Sequence, residues 1–468
     1  MNWHNLKCFS RHPGREFKVT PGLPHFIFRA NVMTPSEQAQ SVRDQLPAGG
    51  LFAGLTWRIA PAAFPLAAEL VEQFELLGPQ LLAFYRACNT LYRHSLGGKQ
   101  PRWIAQYLDA GKPAHLLEIS RSDRIKSQVP RIIRPDVILN EGHFFITELD
   151  SVPGGIGLTG WLGKTYAALG DRIVGGATGM LEGFSRILGD RGVVVVSEEA
   201  ATYRPEMEWL GQQCGFRAVR PEEVAGLENV ATYYRFFELF DLANVPNAET
   251  VLAGNVTPPP KPQLEEKMWF AFLWMEQLRP FWREQLGEPT LKALQAVMPR
   301  TWLVDATPLP PHAILPELGI NDWREMGRFS QKQRELVLKI SGFHEQAWGA
   351  RSVSVGHDMP AGEWSAAIER ALASFPDHPY ILQRFEKSKL VAAEYFDFET
   401  NMLRPFQGRA RLCPFYFVTG DQVKLGGVLA TVCPANKKIL HGMSEAVLAP
   451  CCLSGTESAG SSVDRGGE

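Results

Sequence analysis

The chain has 468 residues, enough for roughly three domains at about 150 residues each. Hydrophobic residues make up 45% of the chain and charged residues 21%, an ordinary globular composition that excludes disorder as the main state. The net charge of −2 excludes a global field that favours nucleic acid or an anionic membrane, so neither is expected as a partner.

Three features of the sequence bear on where the protein is located: its N-terminus, its most apolar stretch and its cysteines. Residues 1–22 carry basic side chains but no apolar core, so they do not read as a signal peptide. The most apolar short stretch, 268–275, is too short to cross a bilayer. The seven cysteines are odd in number and form no C-x-x-C pair, so we expect reduced thiols and no thiolate zinc site. We therefore expect a cytoplasmic protein.

The first part of the chain is predicted to be mainly helical. Apolar residues recur at three- and four-residue spacing through 35–110, the pattern of amphipathic helices. After Pro130 the pattern changes to two short strands, 134–139 and 143–149, joined by a turn at 140–142. A glycine-rich stretch follows them.

A strand-helix-strand unit is predicted next. Residues 192–197 form a continuous β-branched run, typical of a strand buried on both faces of a parallel sheet. A helix over 203–214 and a short strand over 216–219 complete the unit, which predicts an α/β segment. Beyond it, residues 264–286 are predicted to form one long amphipathic helix.

The last third is predicted to be rich in strands. Strands at 336–340 and 380–385 flank a helix over 363–373, and a late hairpin pairs 411–418 with 423–432. Residues 454–468 are rich in Gly and Ser and are expected to be disordered.

Three carboxylates fall at one end of the first predicted hairpin. Side chains alternate with a period of two, so Glu148 and Asp150 project to the same face, and Asp136 on the partner strand can reach the same end. Converging carboxylates repel one another unless a hard cation lies between them, and magnesium takes oxygen ligands of this kind. The alternative is that all three are solvated strand-end carboxylates.

The glycines after Asp150 support a competing interpretation. Residues 155–160 match the dinucleotide fingerprint G-x-G-x-x-G. That fingerprint requires a strand leading straight into the glycines and an acidic residue at the end of a second strand about 20 positions later. Here residues 148–153 intervene, and the acid nearest that distance, Glu182, lies in a helical pattern. A nicotinamide or flavin site is therefore the weaker alternative.

A third candidate site lies towards the C-terminus. Lys339 lies at the end of a predicted strand, beside a loop that begins with Ser341-Gly342. A lysine next to a Gly/Ser loop can bind phosphate. The alternative is a surface lysine on an edge strand. Residues 380–386 form a strand leaving a helix, where backbone groups can pair with an adenine edge, or else an ordinary core strand with a polar end.

Taken in chain order, these short motifs resemble those of the circularly permuted ATP-grasp proteins, which include the glutathionylspermidine-synthase-like ligases and their uncharacterised relatives. In that group the metal carboxylates precede the lysine and the adenine-binding strand. The resemblance covers roughly residues 134–450. It is carried by Asp136, Glu148-x-Asp150 with its glycine-rich tail, Leu338-Lys339 with its loop, Tyr380-Ile381-Leu382-Gln383, Arg409 to Phe415, and Gly426-Gly427-Val428.

The resemblance implies a mixed α/β fold with a permuted ATP-grasp core. A helical region, 1–130, would precede the metal-carboxylate segment of the core, 131–190. An α/β and helical segment, 191–300, would then separate it from the ATP-binding segment, 301–453, and the tail, 454–468, would follow.

The resemblance also implies site roles. Asp136, Glu148 and Asp150 would hold Mg²⁺ on the phosphates of ATP. Arg411 would face the γ-phosphate, with Arg409 as the other candidate for that role. The nucleotide contacts would come from Lys339 and the loop at Ser341 and Gly342 for the phosphates, and from Gln383, Arg384 and Phe385 for adenine. A further lysine, Lys267 or Lys332, is not anchored by a motif.

Two positions depart from the family pattern. The family usually has asparagine where Asp150 stands, and arginine directly before Pro-Phe, where this chain has Cys413. Arg411 lies two residues earlier on the same strand face. His441 is a candidate for lining the site, with a structural histidine as the alternative.

The implied function is an ATP-dependent ligase that activates a carboxylate as an acyl phosphate and joins it to an amine. The substrates would be small molecules or peptides, and the sequence does not identify them or the oligomeric state. A nucleotide-binding regulatory or assembly protein without turnover is the first alternative. A dinucleotide-dependent oxidoreductase is the second.

Overall fold

The computed structural model describes residues 33–50, 52, 57–347, 349, 351–437, 440 and 445–454. The N-terminal 22 residues, His441 and, apart from Ser454, the tail expected to be disordered lie outside the described residues. The helices are α1 Pro35–Asp44, α2 Ala68–Leu96, α3 Arg102–Asp109, α4 Ala114–Arg121, α5 Ile156–Ala168, α6 Gly179–Leu188, α7 Arg204–Cys214, α8 Ala248–Ala253, α9 Met268–Trp274, α10 Arg279–Val297 and α11 Ala361–Ser374.

The strands form three sheets. They are β1 Arg58–Ile59, β2 Phe64–Leu66, β3 Ile132–Ile133, β4 Pro135–Asn140, β5 His143–Leu149, β6 Gly192–Val196, β7 Arg217–Val219, β8 Thr232–Phe236, β9 Val256–Thr257, β10 Thr301–Val304, β11 Leu336–Ile340, β12 Ser354–Val355, β13 Tyr380–Arg384, β14 Val391–Asp397, β15 Met402–Thr419, β16 Gln422–Pro434 and β17 Val447–Leu453. The prediction of a mixed α/β fold is therefore confirmed.

The largest sheet joins distant parts of the chain. Its main order is β1-β17-β16-β15-β4-β5, with β14 and β3 added along β15 and β2 along β17. The predicted hairpin of β4 and β5 pairs antiparallel, and Asp136 lies opposite Glu148 next to a bulge. Strand β15 pairs with β4 at Arg411 and Ile138. The sheet thus brings Arg411, Asp136 and Glu148 onto the successive strands β15, β4 and β5, with Asp150 directly after β5.

The second sheet, in the order β10-β13-β11-β12, is antiparallel. Lys339 on β11 lies opposite Ile381 on β13, so the predicted lysine and the predicted adenine strand are neighbours. Helix α11 packs on this sheet through buried residues such as Trp364 and Ile368.

The third sheet, in the order β7-β6-β8-β9, is parallel throughout. All five residues of β6 are buried, as the unbroken β-branched run predicts. Helix α7 connects β6 to β7, and Gly215 ends it in the left-handed conformation that glycine adopts without strain.

The N-terminal region is mainly helical, as expected. Helix α2 spans 29 residues and buries Phe74, Leu77, Leu81 and Leu91 in the main core. Its spacing of apolar residues explains this, because residues three or four apart share one helix face. Nothing in the structure tests the proposed domain boundaries, which stay a prediction.

The single helix predicted over 264–286 is wrong. The chain forms α9, leaves helical geometry at Met275, whose ψ is 118°, and restarts as α10. Pro280 lies in the first turn of α10. Proline is favoured in a first turn, where its missing N–H costs nothing, and it disrupts a helix interior.

Two expectations about the chemistry of the chain can be compared with the structure. The six cysteines that the structure describes are all free thiols, and five of them are buried. Among the described helices, none is both long and apolar enough to cross a membrane.

Candidate functional site

A cavity of about 1000 Å³ is lined by residues of the nine-stranded sheet, of the second sheet and of the loops beside them. This volume lies at the upper end of the range for small-molecule sites. Nearly every residue predicted from the sequence lines it. These residues are Asp136, Glu148, Asp150, Lys339, Gly342, Gln383, Arg384, Phe385, Arg409 and Arg411.

Asp136 is almost fully buried and is held by two guanidinium groups. Arg134 Nη2 lies 3.1 Å from Oδ1, and Arg411 Nη1 lies 3.2 Å from Oδ2. The Cys413 thiol also contacts Oδ1, at 3.4 Å. Burial opposes ionisation, but the two guanidinium groups outweigh it and hold the pKa of Asp136 below its ordinary value.

Arg134 was missed by the sequence analysis although it occupies the centre of the carboxylate group. The same Nη2 that contacts Asp136 is also bonded to Asp150, and Nη1 donates to the carbonyl of Gly154 at 3.0 Å. Burial raises the pKa of Asp150 despite this guanidinium. A signal was present, because Arg134 lies two residues before Asp136 in an alternating segment.

Glu148 pairs with a lysine from another part of the chain. Lys267 Nζ lies 2.9 Å from Glu148 Oε1 and also donates to the carbonyl of Ala347 at 3.1 Å. Burial would lower the pKa of Lys267, but Glu148 reverses the effect and raises it. Of the two further lysines considered, Lys267 therefore lies in the cavity, whereas Lys332 is exposed and does not line it.

Lys339, on the second sheet, contacts the nine-stranded sheet. Its Nζ donates to the carbonyl of Thr147 on β5 at 2.9 Å. Its side chain is buried, and burial lowers its pKa to about 8. An ammonium group in such surroundings gains strongly from an anionic ligand, because solvent screens the attraction little.

The predicted metal ligands share one wall of the cavity, but each is bound to a cationic side chain. Among the residues that the structure describes, no three His, Cys, Asp or Glu side chains form a group arranged to hold a metal ion. The donor set still suits magnesium in its chemistry, since Asp136, Glu148 and Asp150 offer only carboxylate oxygens. Their assignment as metal ligands stays a prediction.

The two predicted loop residues differ in position. Gly342 lines the cavity, whereas Ser341 is fully buried and its hydroxyl donates to Glu266 and accepts the backbone N–H of Met268 at 2.9 Å. Glu266 is itself paired with Lys112 inside the protein. A Cβ at Gly342 would lie 2.9 Å from the Glu266 carboxyl, so only glycine fits there without a shift.

The three residues predicted to contact adenine have different partners in the structure. Gln383 is buried and donates to Thr301 at 3.2 Å. The guanidinium of Arg384 pairs with Glu317 at 2.8 Å. Phe385 meets the ring of His357 edge-on, with centroids 4.6 Å apart.

The two candidate arginines on β15 have different partners. Arg411 contacts Asp136, as described above. Arg409 donates to the carbonyls of Ser388 and Ala435, the latter at 3.3 Å. Arg411 is therefore the arginine that faces the carboxylate group.

The glycine fingerprint does not form an open dinucleotide site. Gly155 precedes α5 with a φ of 82°, but a carboxylate from α7 occupies the start of that helix. Glu206 accepts the backbone N–H groups of Gly155 and Leu158, each at 2.8 Å. A pyrophosphate would need these donors. Glu182 lies in α6, is half exposed and pairs with Lys424, so it does not end a second strand as the fingerprint requires.

Two further acidic residues of the cavity lining, Glu238 and Glu265, were not predicted from the sequence. Glu238 lines the cavity near Asp150 and accepts the Ser151 hydroxyl at 3.2 Å, and burial raises the pKa of Glu238 to about 8. Glu265, also in the lining, pairs with the fully buried Arg235. No sequence motif marks these residues, because the partners are brought together only by packing.

Comparison with known proteins shows the fold and not the activity. No protein-family model and no curated protein matches the chain. A glutathione synthetase-like effector from Globodera pallida, solved in its apo form, is similar over 90% of this chain and 95% of its own, with a TM-score of 0.52 and 11% identity. A putative gamma-glutamylcysteine synthetase from Methylobacillus flagellatus covers 82% and 89%, with 11% identity and a TM-score of 0.36, which is too low to argue a shared fold.

Proposed function

We propose that this protein is an ATP-dependent ligase that joins a carboxylate to an amine through an acyl-phosphate intermediate. The observation that carries the proposal is the convergence of Lys339, Lys267 and Arg411 with three carboxylates in one cavity of about 1000 Å³. Cations and carboxylates facing one another across two sheets suit a nucleotide triphosphate and its metal. The shared fold with a glutathione synthetase-like protein supports the same class.

Each side chain has a distinct task in this proposal. Lys339 and Lys267 bind the phosphates, since both ammonium groups are buried at the cavity wall. Gln383, Arg384 and Phe385 contact adenine. Arg411 stabilises the charge that redistributes as the γ-phosphate moves to the carboxylate, and that contribution is greatest in the transition state.

Magnesium would be held by Asp136, Glu148 and Asp150, and it would neutralise the phosphate oxygens. The carboxylates come before the nucleotide lysine in the chain, as in the circularly permuted ATP-grasp order. We include that permuted order in the proposal. The partners are a small-molecule or peptide carboxylate and an amine, and a cytoplasmic location is part of the proposal.

The amide-forming step requires an exchange of groups at one carbon atom. The amine nitrogen forms a bond to the acyl carbon, the bond from that carbon to the phosphate oxygen breaks, and inorganic phosphate leaves. The neutral amine nitrogen gives up one proton as the amide forms, and the departing phosphate accepts it. Positioning of both substrates in one cavity supplies much of the acceleration.

The test compares two lysine variants. Lys339→Met should weaken binding of a non-hydrolysable ATP analogue by at least about tenfold, since one buried charged contact is lost. Lys332→Met is the matched control and should bind the analogue like the wild type, because Lys332 is exposed and outside the cavity lining. Calorimetry measures both affinities.

The same proteins are then offered ATP, magnesium and a panel of carboxylates and amines. ADP release that needs both substrates supports the ligase. Analogue binding without ADP release across the panel favours the regulatory nucleotide-binding protein. Stabilisation by NAD or FAD, with no effect of ATP, would overturn both.

A further inference from the structure

Each of the three carboxylates on the cavity wall is paired with at least one cationic side chain of the protein. Arg134 bridges Asp136 and Asp150 through a single nitrogen. Arg411 takes the other oxygen of Asp136, and Lys267 takes an oxygen of Glu148. Both oxygens of Asp136 are therefore in use, and each of the other two carboxylates has an oxygen occupied.

The cations that contact the three carboxylates balance their charge, so this group of side chains by itself offers a free metal ion no net attraction. Three carboxylates are matched by Arg134, Arg411 and Lys267, and Lys339 adds a fourth cation on the same cavity. All of these side chains are largely shielded from water; the most exposed, Glu148, has 37% of its side chain accessible. The positive charges of these arginine and lysine side chains are screened little by solvent, so they oppose the binding of a divalent cation to the carboxylates.

We propose that Arg134 keeps the metal position closed, so that the divalent metal binds only together with the nucleotide triphosphate. This proposal rests on the proposed function. The triphosphate brings several negative charges and many oxygen acceptors, to which the guanidinium and ammonium groups can transfer. The carboxylate oxygens are released by that transfer and become free for the metal.

Arg134 is the side chain best placed for this role. It contacts two of the three carboxylates, and it lies two residues from Asp136 on the same wall. Its buried Nε, like that of Arg411, has no hydrogen-bond partner among the described residues. Neither guanidinium is fully satisfied in this arrangement, which lowers the cost of changing partners.

A consequence is that metal and nucleotide binding are coupled, and the coupling is reciprocal. If bound nucleotide raises the affinity for the metal by a given factor, bound metal raises the affinity for the nucleotide by the same factor. Removing Arg134 should weaken this coupling, because two carboxylates then lose their shared cation before any nucleotide arrives.

The test measures free Mn²⁺ by electron paramagnetic resonance, with the full-length protein and no nucleotide. Wild-type protein should leave the Mn²⁺ signal unchanged, whereas Arg134→Met should bind Mn²⁺ at least about tenfold more tightly. Arg86→Met is the matched control and should behave like the wild type, because the ion pair of Arg86 with Asp421 lies on the surface. Equal Mn²⁺ affinity of wild type and Arg134→Met would overturn the proposal.

A second measurement needs no variant and guards against poor folding of Arg134→Met. The melting temperature of the wild type is recorded with Mg²⁺ alone, with an ATP analogue alone and with both. The proposal requires that the joint increase exceed the sum of the separate increases. Separate increases that simply add would overturn it. If the analogue binds and the increases simply add, this inference fails while the proposed function stands. If the analogue does not bind, the proposed function and the coupling both fail, and a gain of Mn²⁺ affinity in Arg134→Met then shows only that Arg134 blocks the carboxylates.

Discussion

Glu206 should make the protein less stable as the pH rises. Its carboxyl is completely buried at the start of α5 and accepts the backbone N–H groups of Gly155 and Leu158. Burial outweighs these two donors and raises the pKa of Glu206 from its ordinary 4.5 to about 7. In the unfolded chain the carboxyl would return to its ordinary pKa.

The magnitude follows from linkage between protonation and folding. Each pKa unit corresponds to 1.36 kcal/mol, so a change from 4.5 to about 7 is worth about 3 kcal/mol. The folded state binds this proton more tightly than the unfolded state. The contribution of Glu206 to the free energy of unfolding is therefore fully present below the pKa that this carboxyl has in the unfolded chain. It is lost as the pH rises through the pKa of the carboxyl in the folded protein.

The assay compares wild type with Glu206→Gln by denaturant unfolding at about pH 5 and about pH 8. Other carboxyl groups titrate in both proteins and cancel in the difference. The stability of wild type minus that of Glu206→Gln should fall with rising pH by most of the about 3 kcal/mol. A constant loss of about 1–3 kcal/mol is also expected at both pH values, since the amide cannot accept both N–H groups.

Glu182→Gln is the control for this measurement. Hydrogen bonds from Thr178 and Lys424 lower the pKa of Glu182, so this carboxyl stays ionised from about pH 5 to about pH 8 and its difference from wild type should change little. If the difference between wild type and Glu206→Gln is equal at both pH values, or grows with pH, burial does not raise the pKa of Glu206 and the reasoning is refuted.

Three further substitutions test the site and its supporting contacts. Arg411→Met should change ATP affinity only a few-fold but lower ADP release by at least roughly a hundredfold; Arg409→Met is the comparison, and unchanged turnover in both variants would exclude a transition-state role for this strand. Glu148→Gln should lower turnover by at least about tenfold and leave the protein folded by circular dichroism; an unfolded variant would assign the residue a structural role. Gly342→Ala should lower the free energy of unfolding by about 1–3 kcal/mol, because its Cβ would meet the Glu266 carboxyl at 2.9 Å. Gly362→Ala has open space around its Cβ and should be neutral; equal denaturation midpoints for the two variants would contradict the argument from packing.

Local patterning was sufficient to predict eight of the seventeen described strands, among them the two strands of the carboxylate hairpin. The patterns along 134–150 predicted β4 and β5, with Asp136 able to reach the end that carries Glu148 and Asp150. The structure then places Asp136 opposite Glu148. The unbroken β-branched run predicted β6 as a buried parallel strand. The break at Met275 was missed although Pro280 marked it, because apolar spacing continues across the break.

The partners of the site residues were decided by tertiary structure. Lys267, which immediately precedes α9 and lies more than a hundred residues away in the chain, reaches Glu148. Glu206 crosses from α7 to cap α5. Neither pairing has a local signature. Arg134 was within reach of the argument from alternation, yet its bridge to Asp150 depends on how the chain turns after β5.

The sequence by itself determined which faces of its helices and strands are apolar, since periodicity reports burial directly. It also determined the order of the chemical groups along the chain. Only the tertiary structure decided that the carboxylates meet cations of the protein and that the glycine turn is closed by Glu206. The physical reason is that side-chain contacts between distant segments depend on how sheets and helices pack, and packing leaves no periodic trace in the sequence.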